Sequence, residues 1–133
     1  MVSRVVFSSH SDHWSTPGGV FKTLNEEFAF NFDPCPLLSN SDGSKDRWLG
    51  RVFCNPPYSK IADFMRRGLW HLANKECEVL VFLLPARTDT AWFHDYCLKA
   101  KEIRFIRGRL KFSGKIHSAP FPSMIVVFKE WTI

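Results

Sequence analysis

The chain has 133 residues, of which 45% are hydrophobic and 15% aromatic; this fits one globular domain over residues 1–133 and excludes an intrinsically disordered chain. Lys and Arg outnumber Asp and Glu by 18 to 13, so the formal net charge of +5 favours a polyanionic partner without establishing one. No apolar run reaches the roughly eighteen residues of a membrane span, and the four cysteines form no C-x-x-C pair. We therefore expect a soluble, intracellular protein with reduced thiols and no zinc site.

The N-terminal part of the chain predicts a helix followed by a strand. Ser15 or Thr16 is the expected N-cap, Pro17 suits the first helical position, and apolar residues recur at helical spacing over 20–28. Over 28–33, phenylalanines alternate with small or polar residues, which is typical of a strand.

The middle of the chain predicts two strand–helix units. The polar segment 38–50 is expected to be a long loop. A strand over 51–54 leads into a helix over 60–73. The hydrophobic run 79–84 has the character of a central strand covered on both faces, and a helix over 91–98 follows it.

The C-terminal third predicts strands over 102–106 and 123–129, separated by a turn over 107–109 and an extended segment over 110–112. Strands that alternate with helices and then end in strands indicate an α/β fold. We expect a sheet with parallel central strands, flanking helices and an antiparallel strand at one edge.

The candidate site lies where the predicted strands end. In open α/β sheets, ligands bind outside the carboxyl ends of the strands, which singles out the loops that begin at Asp33, Asn55 and Pro85. In the segment Asn55-Pro56-Pro57-Tyr58, two prolines fix φ and supply no N–H, so carbonyl oxygens are left as acceptors. Together with the Asn55 side-chain oxygen they can accept both hydrogens of an amino group, while Tyr58 offers a flat face to the ring that carries it.

This loop resembles the catalytic Asn/Asp-Pro-Pro-Tyr motif of amino-methyltransferases. Together with four other segments in the same order, it resembles the phage-type DNA N-6-adenine methyltransferase (Dam) family. The five matching segments are Trp14-Ser15-Thr16-Pro17, Phe32-Asp33-Pro34-Cys35, Val52-Phe53-Cys54-Asn55-Pro56-Pro57-Tyr58-Ser59, Leu84-Pro85-Ala86-Arg87-Thr88-Asp89-Thr90 and Gly108-Arg109-Leu110-Lys111-Phe112.

The resemblance implies a compact, reduced Rossmann-like sheet that uses S-adenosyl-L-methionine to methylate the exocyclic amino group of adenine in DNA, in the cytoplasm of a bacterial host. It implies that the catalytic residues are Asn55, Pro56, Pro57 and Tyr58. On this interpretation Asn55 and the Pro56 carbonyl hold the amino group, Tyr58 stacks on a flipped base, and no metal is needed.

The resemblance also implies a cofactor site around the first two motifs. Its expected residues are Trp14, Thr16, Pro17, Asp33, Pro34 and Cys35, with Asp33 and Thr16 near the ammonium and carboxylate of the methionine part. The sequence departs from the general methyltransferase pattern, because no Gly-x-Gly follows the first strand and the second strand is missing or reduced to loop. Asp42 and Asp46 are the alternatives for the acid that binds the ribose hydroxyls.

Basic residues supply candidate phosphate contacts: Arg87, Arg107, Arg109 and Lys111, with Arg66, Arg67, Arg104 and Lys115 as further cations. For several positions a purely structural role stays open. The basic residues can form a solvated face, Asp33 can cap a turn, Asp89 can be a helix N-cap, and Trp14 can belong to the core.

Three alternatives to the main hypothesis remain at the level of sequence. The acceptor loop also suits methylation of another planar amino or amide group, in an RNA base or a protein glutamine. The shortened cofactor half is also compatible with an inactive nucleic-acid-binding relative, or with a cofactor site that a partner subunit completes.

Overall fold

A computed structural model of the protein describes residues 14–36, 42–112 and 117–129; Lys115 and part of the predicted loop over 38–50 lie outside these ranges. The helices and strands, numbered in chain order, are α1 Gly18–Phe28, β1 Gly50–Cys54, α2 Ile61–Ala73, β2 Cys77–Pro85, α3 Ala91–Asp95, β3 Glu102–Phe105 and β4 Ser123–Lys129. Short 3-10 turns cover Gly43–Lys45, Tyr58–Lys60 and Cys97–Lys99. The predicted α/β class is confirmed.

The four strands form one mixed sheet in the order β1-β2-β4-β3. β1 and β2 are parallel, and β4 runs antiparallel to both of its neighbours, β2 and β3. The expected edge position of the antiparallel strand is therefore wrong, because β4 lies inside the sheet. The reason is that Met124 to Phe128 are all apolar. All six residues from Ser123 to Phe128 are buried, which a position at an exposed edge would not permit.

The strand predicted over 28–33 is also wrong for most of its length. Phe28 ends α1, Ala29 adopts φ 51°, and strand pairing is limited to an isolated parallel bridge between Phe32 and Val52. The alternating phenylalanines instead reflect aromatic packing, since the rings of Phe28 and Phe30 lie 5.9 Å apart. The bridge still places the end of this segment beside the end of β1, as the predicted site requires.

The sheet is covered on both faces, as the apolar run of β2 predicts. Leu80, Phe82 and Leu84 face the core formed with α2 and α3. Val79, Val81 and Leu83 face a second core with α1, Phe112 and Phe121. No helix within the described ranges is long and apolar enough to cross a membrane.

The described part of the predicted loop is tightly packed rather than open. Trp48 is fully buried, and its indole N–H donates to the carbonyl of Gly43 at 2.8 Å. A Cβ on Gly43 would lie 1.9 Å from the Pro34 carbonyl oxygen, and one on Gly68 would lie 2.5 Å from the Trp48 ring. These close approaches fix the backbone next to Asp33.

Two predicted helix caps are displaced by one or two residues. Pro17 occupies the N-cap of α1, without a side-chain cap, whereas Ser15 and Thr16 precede it. Thr90 rather than Asp89 caps α3, because its hydroxyl accepts from the Phe93 N–H at 3.2 Å. The expected helix over 91–98 is also shorter, since its last turn is a 3-10 turn.

Candidate active site

A cavity of about 380 Å³ opens at the carboxyl ends of β1 and the Phe32 bridge segment, and we call it the main cavity. The sequence predicted a site at this edge. Its lining residues are Ser15, Thr16, Gly18, Phe21, Asp33, Cys35, Pro36, Phe53 and Asn55. The fold thus brings Thr16, Asp33 and Cys35 together with Asn55, although the first and last of these are 39 positions apart.

Asn55 is held by two hydrogen bonds to the segment before α1. It is 2% exposed, and its side-chain NH₂ donates to the Trp14 carbonyl and to the Thr16 hydroxyl, the latter at 3.1 Å. A carbonyl can only accept, so this contact fixes which end of the amide is NH₂ and turns the oxygen away from Trp14. Within the described residues the buried Asn55 Oδ1 has no hydrogen-bond partner, so it is an oriented acceptor without a donor.

The two prolines of the loop differ in what their carbonyls do. The Pro57 carbonyl accepts from the Lys60 N–H at 2.9 Å and closes the 3-10 turn that leads into α2. The sequence suggested an outward acceptor at this position, but the Pro57 carbonyl is engaged within the turn, and the role expected of the Pro56 carbonyl stays a prediction. Pro56 is buried, whereas Pro57 is half-buried.

Tyr58 lies in an aromatic cluster. Its ring stacks near that of Trp14, with 6.4 Å between centroids and 14° between planes, and meets Phe121 edge-on at 5.2 Å. Phe112 also contacts Trp14, at 5.4 Å. Burial raises the pKa of Tyr58, and the charge of Arg87 opposes that rise only in part. The hydroxyl is therefore neutral at physiological pH, and it has no hydrogen-bond partner in the described part of the chain.

Asp33 stands at the cavity in a polar turn. Its carboxylate accepts from the Cys35 N–H at 2.8 Å, so the turn-capping role that the sequence left open is present. Although Asp33 keeps contact with solvent, the protein around its carboxylate raises the pKa, and the Cys35 N–H offsets this in part. Full burial raises the pKa of the neighbouring Cys54 thiol well above its usual value, so that group stays neutral.

The remaining predicted cofactor residues border the main cavity without lining it. Trp14 supplies the carbonyl that orients Asn55, Pro17 begins α1, and Pro34 is buried against Gly43. Neither Asp42 nor Asp46 lines the cavity. The Asp42 carboxylate instead accepts from Ser44 in its own turn, and the Asp46 carbonyl accepts from Arg67 at 2.6 Å. Neither alternative for the ribose-binding acid therefore lies on the wall of this cavity, and the identity of that acid stays a prediction.

Of the candidate phosphate contacts, Arg87 has its guanidinium 6.0 Å from the centre of the Phe121 ring, which in turn meets Tyr58 edge-on. Arg107, Arg109 and Lys111 are exposed on and after a turn in which Gly108 adopts φ 76°. Arg104 does not join them, because Glu27 holds it through two bonds of 2.6 Å and Glu102 also binds it.

The cations on α2 are also engaged in the fold. Arg66 pairs with Asp63, and Arg67 donates to the carbonyls of Asp46 and Lys45. Sequence reasoning missed the aromatic walls, Phe21 and Phe53 in the main cavity and Phe112 and Phe121 near Tyr58. These residues come from distant segments, and no local pattern marks them as neighbours.

The site thus belongs to an α/β protein whose main cavity and Asn55-Pro56-Pro57-Tyr58 loop lie together at the carboxyl end of β1, where such sheets bind their ligands. The family model for DNA N-6-adenine-methyltransferase (Dam) matches residues 4–133, and the chain belongs to this family. It is similar to a DNA N-6-adenine-methyltransferase of Escherichia phage T1, with 30% identity over 112 residues. That match covers 74% of this chain and 46% of the relative, so the chain spans about half the length of the relative it matches.

Proposed function

We propose that this protein transfers a methyl group from S-adenosyl-L-methionine to the exocyclic N-6 amino group of adenine in DNA. The observation that carries the proposal is the buried, unpartnered oxygen of Asn55 beside the main cavity. A buried acceptor without a donor costs about 1–3 kcal/mol, and a ligand amino group that binds there removes the cost. Family membership and the phage relative's name support adenine in DNA as that ligand.

In the proposed reaction the protein acts by orientation and hydrogen bonding. Asn55 Oδ1 and the Pro56 carbonyl accept the two amino hydrogens, which draws electron density onto a nitrogen that is otherwise conjugated into the ring. Tyr58 stacks on the base. When bound, the cofactor would supply a sulfonium methyl group to this nitrogen, with S-adenosylhomocysteine as the leaving group and one amino proton lost to solvent. Pro57 takes part by closing the turn that holds Tyr58 in place.

The residues of the main cavity fit the methionine part of this cofactor. The volume of about 380 Å³ is within the range of ordinary ligand pockets. Gly18 brings the N-terminus of the 11-residue helix α1 to the cavity, and this terminus has no side-chain cap. Backbone N–H groups at such a terminus suit a carboxylate, and Pro17 and Thr16 position them. Asp33 and Cys35 also line this cavity, with Pro34 between them in the chain, and Trp14 contacts both Asn55 and Tyr58.

For DNA we propose that Arg87, Arg107, Arg109 and Lys111 contact phosphates around a flipped adenine. Arg87 is exposed close to Tyr58, so it is placed to hold the backbone beside the extruded base. The other three lie on the turn that precedes Phe112, which belongs to the same aromatic cluster. The setting we propose is the cytoplasm of a bacterial host, which supplies both DNA and cofactor.

The test is to incubate the purified full chain with radiolabelled S-adenosylmethionine and, in parallel, with DNA, RNA and total cell protein. Label in DNA, recovered as N-6-methyladenine after digestion, is the expected result. Label only in RNA or only in protein contradicts the choice of substrate but keeps the transferase. Calorimetry with the cofactor separates a further outcome: no binding at millimolar concentration identifies an inactive relative or a site that needs a partner chain.

A further inference from the structure

A groove of about 390 Å³ is lined by residues of α2 and of the 3-10 turn Gly43–Lys45, and we call it the basic groove. Its lining residues are Ser44, Lys45, Asp63, Arg66, Arg67 and Trp70. It shares no lining residue with the main cavity. The reaction proposed above uses none of these six side chains, so the groove is a separate surface.

The basic groove carries an excess of positive charge. Three of its lining residues are cations, Lys45, Arg66 and Arg67, and one is an acid, Asp63. Asp63 pairs with Arg66. Arg67 instead donates to the backbone carbonyls of Asp46 and Lys45, which fixes its guanidinium without neutralising the charge. Lys45 is exposed. A fixed excess of positive charge of this kind suits the phosphates of a polyanion.

Trp70 adds an aromatic surface to these cations. It is 56% exposed, and the guanidinium of Arg67 lies 5.9 Å from the centre of its ring. A single exposed tryptophan needs no explanation by itself, but an exposed indole beside cations is the combination that single-stranded nucleic acids use. Phosphates or an acidic peptide would need the cations alone. The indole therefore favours a ligand that carries flat rings as well as negative charge.

The basic groove lies within reach of the acceptor loop. α2 begins three residues after Tyr58, and Arg66 to Trp70 occupy its second and third turns. At a rise of about 1.5 Å per residue, Trp70 lies about 14 Å along α2 from Ile61. Phosphates of one strand are about 3.4 Å apart along a duplex axis. A strand that leaves the acceptor loop along α2 thus reaches the groove after about four nucleotides, or fewer if it is extended.

We propose that the basic groove binds an unpaired stretch of the DNA strand that flanks the target adenine. One base stacks on Trp70, and Lys45, Arg66 and Arg67 contact the phosphates around it. The faces of a base within a duplex are covered by its neighbours, so stacking on Trp70 selects a single strand. This inference rests on the proposed function and adds to it a preference for unpaired DNA beside the target.

The first arm of the test measures binding of the full chain to labelled oligothymidylate and to an adenine-free duplex of G·C pairs by fluorescence anisotropy. Neither ligand contains the base that the acceptor loop takes. Trp70→Leu should weaken oligothymidylate about tenfold and the duplex by less than about twofold. Trp70→Phe keeps a ring and should retain most of the affinity. The matched control is Phe105→Leu, since Phe105 is 64% exposed on β3, and its affinities should equal those of the wild type.

The second arm tests the phosphate contacts through their salt dependence. Arg66→Gln should lower the slope of log affinity for oligothymidylate against log salt by about 0.7, the value for one phosphate contact on a single strand. Lys22→Gln removes an exposed charge from α1, which packs in the other core, and should leave the slope unchanged. Arg67 is kept, because its bonds hold the turn that forms one side of the groove.

The possible failures are distinguishable. Unchanged oligothymidylate affinity in Trp70→Leu, with circular dichroism confirming its fold, overturns the groove. Equal losses on both DNA ligands overturn the stacked single strand, because they indicate contact with phosphate alone. Polyglutamate that binds the wild type as tightly as oligothymidylate overturns DNA as the occupant in favour of an acidic protein segment. A chain that shows the expected Trp70 dependence but transfers no label to adenine keeps the groove and fails the proposed function.

Discussion

The Trp48 region and the Asn55 loop differ in whether their buried polar atoms have hydrogen-bond partners within the described chain. Around Trp48 the polar atom of a buried side chain is paired, and glycines let backbone and ring meet without a gap. At the carboxyl edge, buried polar atoms lack partners within the described chain. Of four such atoms, Asn55 Oδ1 and Tyr58 Oη belong to the acceptor loop, and Ser123 Oγ lies opposite Pro85 at the same edge. The fourth, His71 Nε2, lies at the far end of α2.

This contrast shows that the fold loses stability at the carboxyl edge of the sheet, where buried polar atoms are unpaired. Unsatisfied buried groups each cost about 1–3 kcal/mol, so a cluster of them at one edge needs a compensating function. Changes in the Trp48 region should therefore lower stability and leave chemistry intact. Changes at the acceptor loop, Asn55 to Tyr58, should lower turnover and leave the stability of the fold largely intact.

The largest expected effect is that of Asn55→Ala. It removes the oriented acceptor, and loss of one preorganised hydrogen-bonding group of this kind reduces turnover by about 100- to 1000-fold. The measurement is single-turnover transfer of label to DNA. The control is Asn74→Ala, because the exposed Asn74 amide bonds only the Trp70 carbonyl among described groups, at the end of α2. Equal turnover in the two variants would remove Asn55 from the mechanism.

Asn55 also tethers Trp14, so the variant needs a structural readout. Calorimetric affinity for S-adenosylhomocysteine should change little, since the Asn55 acceptor is assigned to the base. A parallel loss of cofactor affinity and turnover would indicate that the tether to Trp14 and Thr16, rather than the acceptor, is what the substitution destroys.

Tyr58 gives the next effect, through its ring rather than its hydroxyl. Tyr58→Ala should weaken DNA binding by about 1–3 kcal/mol, the contribution of one stacked base. Tyr58→Phe keeps the ring and removes a buried hydroxyl that has no partner among the described residues, so DNA affinity should hold and the melting temperature should stay equal or rise. Binding of DNA that contains an abasic site tests the assignment: if the ring stacks on the flipped base, Tyr58→Ala should lose no affinity there.

Gly68→Ala probes the other region. The new methyl group would lie 2.5 Å from the buried Trp48 ring, so we expect a loss of about 1–2 kcal/mol in the free energy of unfolding despite the better helix propensity of alanine. Urea denaturation measures it. Gly19→Ala is the control, since nothing lies within 4 Å of that position in α1, and it should be neutral or stabilising. A turnover per folded molecule that falls in Gly68→Ala would contradict the separation of the two regions.

The sequence predicted the strands better than the site geometry. The long apolar runs of β2 and β4 mark both segments as strands, so their positions along the chain followed from composition, whereas the place of β4 inside the sheet did not. The alternating phenylalanines over 28–33 are compatible with a strand or with packing around a helix end, and the structure has the second arrangement. Periodicity alone does not show whether these phenylalanines will pair in a strand or pack around the end of a helix.

The site shows the same division. Asn55 was identifiable because its chemistry and motif are local. Its bond to Trp14 joins residues 41 positions apart, and the main cavity unites α1, the segment after Phe32 and β1. Such contacts depend on how the chain folds, so the sequence left the ribose-binding acid open between Asp42 and Asp46, neither of which lines the main cavity.

The smallest effect concerns the surface and separates binding cations from structural ones. Arg87→Ala should weaken DNA binding and lower the slope of log affinity against log salt by about 1, because an exposed guanidinium beside the acceptor loop contacts one phosphate. Arg104→Ala removes the same charge, but that guanidinium is bound by Glu27 and Glu102, so it should leave the salt slope unchanged and lower stability by at most about 1 kcal/mol. Fluorescence anisotropy at several salt concentrations compares them. Equal slopes for both variants would mean that net charge alone, rather than the position of Arg87 at the site, governs DNA affinity.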